Sequence, residues 1–235
     1  MDLESEISNS NSRSDLGKFA ENVTRFSLNY LTRFGIAGVV VYSCWIAIVN
    51  YNYWFSWHVI LCTFGYLPLM AESLMLFTGD ELWSRQMTRT AKYTIHGIIV
   101  SIGTVMIIAG NGLVFHYISP GFHLNTVHGI TGLVSMILII VAIPVGLMIK
   151  YYRELQSYVP IIRPIWYKGL HNVLGVLGYI IGIISLCFAY YTHWFVYYTQ
   201  YESRLVALIV TVLATAWTLN GAIVSMWYQI KTICS

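Results

Sequence analysis

Four histidines, His58, His96, His128 and His171, each stand at or just inside the start of an apolar run long enough to cross a membrane as a helix. A charged side chain costs about 2.5–3.5 kcal/mol at the centre of a span, so an ionisable residue there is a functional candidate whose partner must be named. Successive spans run in opposite directions, which puts His58 and His128 near one face and His96 and His171 near the other. Two pairs at two depths result. Two neutral imidazoles facing each other across a helix bundle are the arrangement that fills both axial positions of a haem iron. A zinc ion would instead ask for clustered His, Cys, Asp or Glu, and Glu72 is the only acidic residue deep in any apolar run.

Glycines recur at helical spacing from these histidines. Gly65 follows His58 by seven, Gly103 and Gly110 follow His96 by seven and fourteen, Gly132 follows His128 by four, and Gly175 and Gly178 follow His171 by four and seven. Missing side chains at these positions leave room for a flat porphyrin; close packing of membrane helices uses small residues in the same way. Beside the histidines, the porphyrin reading is the expectation. Glu72, fourteen residues after His58, lies about 21 Å further along the helix, near the face of His96 and His171. A carboxylate there could meet a haem propionate, a donor or a proton path, or be an ordinary helix-end carboxyl.

The elements that must hold these residues follow from composition. The 235 residues are 57% hydrophobic and only 10% charged, with a mean hydropathy of +0.64, whereas soluble domains carry about 25% charged residues. Aromatic residues make up 15%, including 18 Tyr and 8 Trp, which favour the headgroup level of a bilayer. A span needs about 20 helical residues, and suitable runs occur near 31–50, 58–78, 96–115, 126–149, 169–190 and 204–228. The fold class is therefore an all-α integral membrane protein of six transmembrane helices, with helices two to five forming a four-helix core around two b-type haems. Residues 1–30 read as a polar tail, 31–228 as the membrane domain and 229–235 as a short second tail. Pro68 and Pro144 fall inside the second and fourth runs, as membrane helices tolerate, and are expected to kink them.

Of 13 Lys and Arg residues, all but Arg204 fall on one side of this topology. Positively charged loops are retained in the cytosol, so both termini are expected to be cytosolic. The first 30 residues lack the apolar core of a cleavable signal peptide. Cysteines 44, 62, 187 and 234 show neither metal-site nor disulfide-framework spacing, Cys234 does not form a prenylation box, and the net charge of +3 is spread over short loops, which excludes a nucleic-acid footprint.

At this point the residues resemble the cytochrome b561 family across 31–228. The likeness rests on Phe55-Ser56-Trp57-His58 opening helix two, His96-Gly97 opening helix three, His123 to Gly129 with His128 opening helix four, and Lys168-Gly169-Leu170-His171 opening helix five. Phe55 to His58 and Ala71-Glu72-Ser73-Leu74 are more similar to the domain-containing transmembrane ferrireductase branch than to the chromaffin-granule branch. The granule branch carries an Arg after helix two, implicated in ascorbate binding; Leu76-Phe77-Thr78 stands there in this chain.

The resemblance implies two haem b, with His58 and His128 as axial ligands of an outer haem and His96 and His171 of an inner one. It implies electron transfer from a cytosolic donor, ascorbate, to an outer or lumenal acceptor, a ferric chelate or monodehydroascorbate, and extends to a homodimer in the plasma membrane or an endomembrane. Arg85, Arg89, Lys92 and Arg153 are candidates for drawing an anionic donor to the inner mouth, although cytosolic retention alone accounts for their position. His116, His123 and His193 are candidates at the outer mouth, with His123, five residues before His128, matching a His of the ferrireductase branch. Two other readings stay open: a haem-binding redox sensor or partner subunit with little turnover, and a non-redox transporter whose histidines relay protons or metal.

Overall fold

The computed structural model describes residues 3–77, 83–84, 86–158 and 163–234, with side chains from 15 to 232 within those ranges. Arg85 and Thr78 lie outside the described residues. Among them, six helices are long and apolar enough to cross a membrane: α1, Leu3–Val49; α2, Tyr53–Met75; α3, Arg89–Tyr117; α4, Val127–Lys150; α5, Pro164–Ala189; and α6, Tyr201–Cys234. Short helices at Pro120–Phe122, Tyr152–Leu155 and His193–Tyr198 sit in the connections.

Both expected tails are helical over their described residues. At 1.5 Å per residue, the 47 residues of α1 run roughly 70 Å, more than twice the hydrocarbon thickness. Leu16, Phe19, Val23, Phe26 and Tyr30, spaced three or four apart, form an exposed apolar stripe on the extension, which is why polar composition did not break the helix. At the other end, α6 continues through Cys234.

The starts of the helices explain the placement of the histidines. Thr88 accepts the Ala91 amide at 3.2 Å and starts α3, and Thr126 accepts the Gly129 amide at 3.1 Å and starts α4; both satisfy donors that a helix N-terminus would otherwise leave unpaired. Pro164 takes the first position of α5, where its missing N–H costs nothing. At the head of α2, the Ser56 hydroxyl donates to the Ala47 carbonyl at 2.8 Å and accepts from the Asn52 amide at 2.9 Å. That buried pair of bonds ties the end of α1 to α2 two residues before His58.

Pro68 falls in a π-helical stretch, Gly65–Met70, inside α2. A wider turn is the local response to the amide that proline lacks. Pro144 lies within an unbroken α4.

The helices pack as pairs. α4 lies along α5, α2 along α3, and α1 along α6, while α3 and α4 touch sparingly. Polar bonds at mid-depth join the two inner pairs: the Ser135 hydroxyl donates to the Gly178 carbonyl at 2.6 Å, which leaves its oxygen to accept from the Tyr66 hydroxyl at 2.8 Å. In an apolar interior every such group must be satisfied by protein.

Candidate haem site

The structure assembles the four histidines as two facing pairs. The rings of His58 on α2 and His128 on α4 have centroids 6.0 Å apart and planes at 75°. Those of His96 on α3 and His171 on α5 are 6.1 Å apart at 76°. Because α2 and α3 are antiparallel, the pairs lie at opposite ends of the core. From His58 to Ser73, which touches His96, is 15 residues, or roughly 20 Å along α2.

Each ring is held by a carbonyl of the helix beside it. His58 donates from Nδ1 to the Gly110 carbonyl at 3.0 Å, and His96 donates from Nδ1 to the Ser73 carbonyl at 3.1 Å, so α2 and α3 orient each other's imidazole. α4 and α5 repeat the exchange: His128 Nδ1 to the Ser185 carbonyl at 2.9 Å, and His171 Nδ1 to the Ala142 carbonyl at 2.9 Å. A carbonyl only accepts, so each Nδ1 carries the proton and each Nε2 keeps its lone pair. This second bond fixes the tautomer and ring direction of a metal-binding imidazole.

The spacing is a test of fit. A metal–imidazole bond of about 2 Å on each side, plus roughly 1.1 Å from nitrogen to ring centre, predicts centroids about 6.2 Å apart across one iron. Both pairs meet that value. Among the described residues no three His, Cys, Asp or Glu side chains converge, so the donor set is two opposed neutral nitrogens per site. A cavity of about 240 Å³ opens against His58 and His128, with Phe55, Leu186, Trp194 and Phe195 among its walls. His193 lines it as well.

Five of the six glycines sit against protein rather than beside open space. A Cβ on Gly65 would lie 2.6 Å from Ile107, one on Gly110 2.8 Å from the Cys62 sulfur, and one on Gly178 2.9 Å from Ile139. These three glycines let α2 approach α3 and α4 approach α5. A Cβ on Gly103 would lie 3.3 Å from the Gly65 carbonyl and one on Gly132 3.1 Å from the Ser185 hydroxyl, leaving only Gly175 of the six in open space. Gly146, not singled out by spacing, would place a Cβ 2.9 Å from the His171 ring and so makes room for that imidazole.

The remaining candidates separate. Glu72 forms a two-pronged ion pair with Arg33 of α1, the Nη2–Oε2 arm at 3.1 Å. It anchors the segment next to Ser73, a partner that spacing on one helix could not reveal. Phe77 packs on His96 at 5.3 Å. Arg89 and Arg153 are exposed and Lys92 half-buried at the basic end. At the opposite end His123 stacks on Phe115 at 5.0 Å and 28°, beside Leu124, whose φ of 57° is a strained left-handed value. His116 is exposed, edge-on to Tyr117.

Comparison with known proteins gives the family. The family model described as eukaryotic cytochrome b561 matches residues 57–196. Transmembrane reductase CYB561D2 of Mus musculus and that of Bos taurus are each 28% identical over 143 residues, and that of Homo sapiens is 27% identical over the same length. The match covers 60% of this chain and 63% of the relatives. No solved structure matches. The matched region runs from the residue before His58 into the short helix after α5 and contains all four histidines, and the chain belongs to the eukaryotic cytochrome b561 family.

Proposed function

We propose that the chain carries single electrons across a membrane, from a cytosolic reductant to an acceptor on the other face, with His58 and His128 holding one b-type haem and His96 and His171 holding a second. The observation that carries this reading is the pair of 6.0 and 6.1 Å ring separations, with every Nδ1 engaged by a neighbouring carbonyl. The haems, when bound, supply reversible one-electron chemistry that no side chain here offers. The protein sets the ligand type, keeps the imidazoles neutral, and surrounds them with apolar walls, which are the means by which a fold tunes iron potential.

Direction follows from topology. With the basic end in the cytosol, the inner pair is His96 and His171. An inside-negative potential favours outward movement of an electron by about 2.3 kcal/mol per 100 mV for a full crossing. Ascorbate is the proposed donor and a ferric chelate or monodehydroascorbate the proposed acceptor. Arg89, Lys92 and Arg153 would raise the local concentration of an anionic donor, as would Arg85. His123, His116 and His193 would serve the acceptor, and of these His193 lines the cavity of His58 and His128.

The test is haem content of the purified chain by pyridine haemochrome, with reduced-minus-oxidised spectra before and after ascorbate. Two haems per chain, reducible by ascorbate, support the reading; a colourless, folded protein after haem-replete expression overturns it.

A further inference from the structure

The four carbonyls that hold the histidines fall in register. Gly110, Ala142 and Ser185 each stand fourteen residues after a histidine of their own helix, and Ser73 stands fifteen after His58. Fourteen residues are close to four helical turns. The π-helical stretch Gly65–Met70 lies between His58 and Ser73, and its wider turn takes up the extra residue. Each core helix thus carries a histidine near one end and, on the same face near the other, the carbonyl that holds its neighbour's histidine. By backbone alone the two sites are alike.

Their side chains are not. Gly110 has none, Ala142 offers His171 only a methyl group, and the Ser73 hydroxyl turns back to the Met70 carbonyl at 2.7 Å. Ser185 differs. Its hydroxyl donates to the His128 carbonyl at 2.7 Å, which leaves the oxygen to accept, and that oxygen is 3.0 Å from His128 Nδ1. The Nδ1 proton is therefore shared between the Ser185 carbonyl at 2.9 Å and the Ser185 hydroxyl. Gly132 leaves the room, since a Cβ there would lie 3.1 Å from this hydroxyl. Ser185 is 3% exposed, so the bond is made in an apolar interior, where it is electrostatically stronger than in water. Opposite it, the Cys62 sulfur is 3.6 Å from His58 Nδ1, and a thiol is a weak acceptor by comparison.

An acceptor on the second nitrogen raises the basicity of a ligating imidazole. A more basic ligand favours ferric over ferrous iron, and hydrogen bonding around the ligands is one of the means by which a protein sets the potential. We infer that Ser185 is a positioning residue that acts through His128 to hold the His58/His128 haem at a lower potential than the shared backbone pattern gives, and so distinguishes two otherwise matched sites. The inference rests on the haem-binding reading above. A lower potential at the outer site makes release of an electron to an acceptor more favourable and entry from the inner site less so, a cost that an inside-negative membrane potential offsets.

The experiment is redox potentiometry of the full haem-loaded chain, with EPR spectra of the ferric protein. Ser185→Ala removes the extra acceptor and leaves the carbonyl. Ala142→Ser adds one at the matching position beside His171, where Gly175, four residues after His171 as Gly132 is after His128, has nothing within 4 Å of a Cβ. The expected result is that Ser185→Ala raises one of two midpoint potentials and Ala142→Ser lowers the other. Each shift is about a twofold to tenfold change in the ferrous-to-ferric ratio, the range for one neutral hydrogen bond, or roughly 20–60 mV at 59 mV per tenfold. The EPR signal moved by Ser185→Ala should be the one that His128→Ala abolishes. A residue that only supports the fold would change unfolding temperature and leave both midpoints in place, which would overturn the inference. Movement of the signal that His171→Ala abolishes would overturn it too. Should Ser185→Ala release a haem, Ala142→Ser decides alone: a lowered midpoint upholds the inference and an unmoved one overturns it. Wild type without dithionite-reducible haem would instead sink the haem-binding reading, whereas two haems with unmoved midpoints sink this inference only.

Discussion

His58 donates its Nδ1 proton to the carbonyl of Gly110, 52 residues away on the next helix, at 3.0 Å. The same exchange recurs at His96, His128 and His171. All four rings are therefore held by backbone carbonyls, with the Ser185 hydroxyl also 3.0 Å from His128 Nδ1, and each faces its partner as a neutral imidazole.

Substitutions should sort by pair. His58→Ala and His128→Ala should each remove one haem per chain, and the double variant should lose no more than either single. His96→Ala and His171→Ala should behave alike for the second haem, whereas a variant taking one histidine from each pair should bind none. Pyridine haemochrome stoichiometry decides this, and a pairing of His58 with His96 or His171 would refute the assignment.

Gly110→Leu should loosen the α2–α3 contact and displace the carbonyl that holds His58. A Cβ there already meets the Cys62 sulfur at 2.8 Å and the His58 carbonyl at 3.4 Å. Overpacking of this kind costs about 1–3 kcal/mol. Thermal unfolding in detergent should fall accordingly, with preferential loss of the haem on the His58 side.

At mid-bundle, Gly182→Ala forces a clash, since its Cβ would lie 2.1 Å from Cε1 of Tyr66. Tyr66→Phe keeps that carbon and should not relieve the strain, while Tyr66→Leu should relieve part of it. The comparison of three unfolding midpoints separates ring volume from the hydroxyl bond to Ser135, which by itself contributes about 1 kcal/mol.

Arg33 and Glu72 join α1 to α2 as a partly buried ion pair. Arg33→Met or Glu72→Gln alone breaks the pair from one side, and each should destabilise more than the double substitution does. A double-mutant cycle should give a coupling of about 0.5–3 kcal/mol; additivity would show that the pair contributes nothing to the fold.

Loss of His123 should leave both haems in place. His123→Ala removes an imidazole stacked on Phe115 at the proposed acceptor end, and is expected to raise the half-saturating concentration of a ferric chelate several-fold while ascorbate-driven reduction of the haems is unchanged. Steady-state oxidation of the pre-reduced protein by ferric citrate measures it.

Six spans and the depth of each histidine were legible along the chain because both depend on local quantities. Hydrocarbon thickness sets the length of an apolar run, and alternation of direction sets which end a residue occupies; from these, His58 pairs with His128 and His96 with His171 without any coordinates. Other properties depend on which helix lies beside which, and no local pattern records that. Spacing put the glycines near the histidines, yet it was the neighbour across the gap that gave Gly65 and Gly110 to helix packing and Gly146 to the His171 ring. The Arg33–Glu72 pair spans 39 residues and the Asn29–Trp217 bond 188. Hydrogen bonds and van der Waals contacts act over a few ångströms, so their partners were decided only when the helices packed.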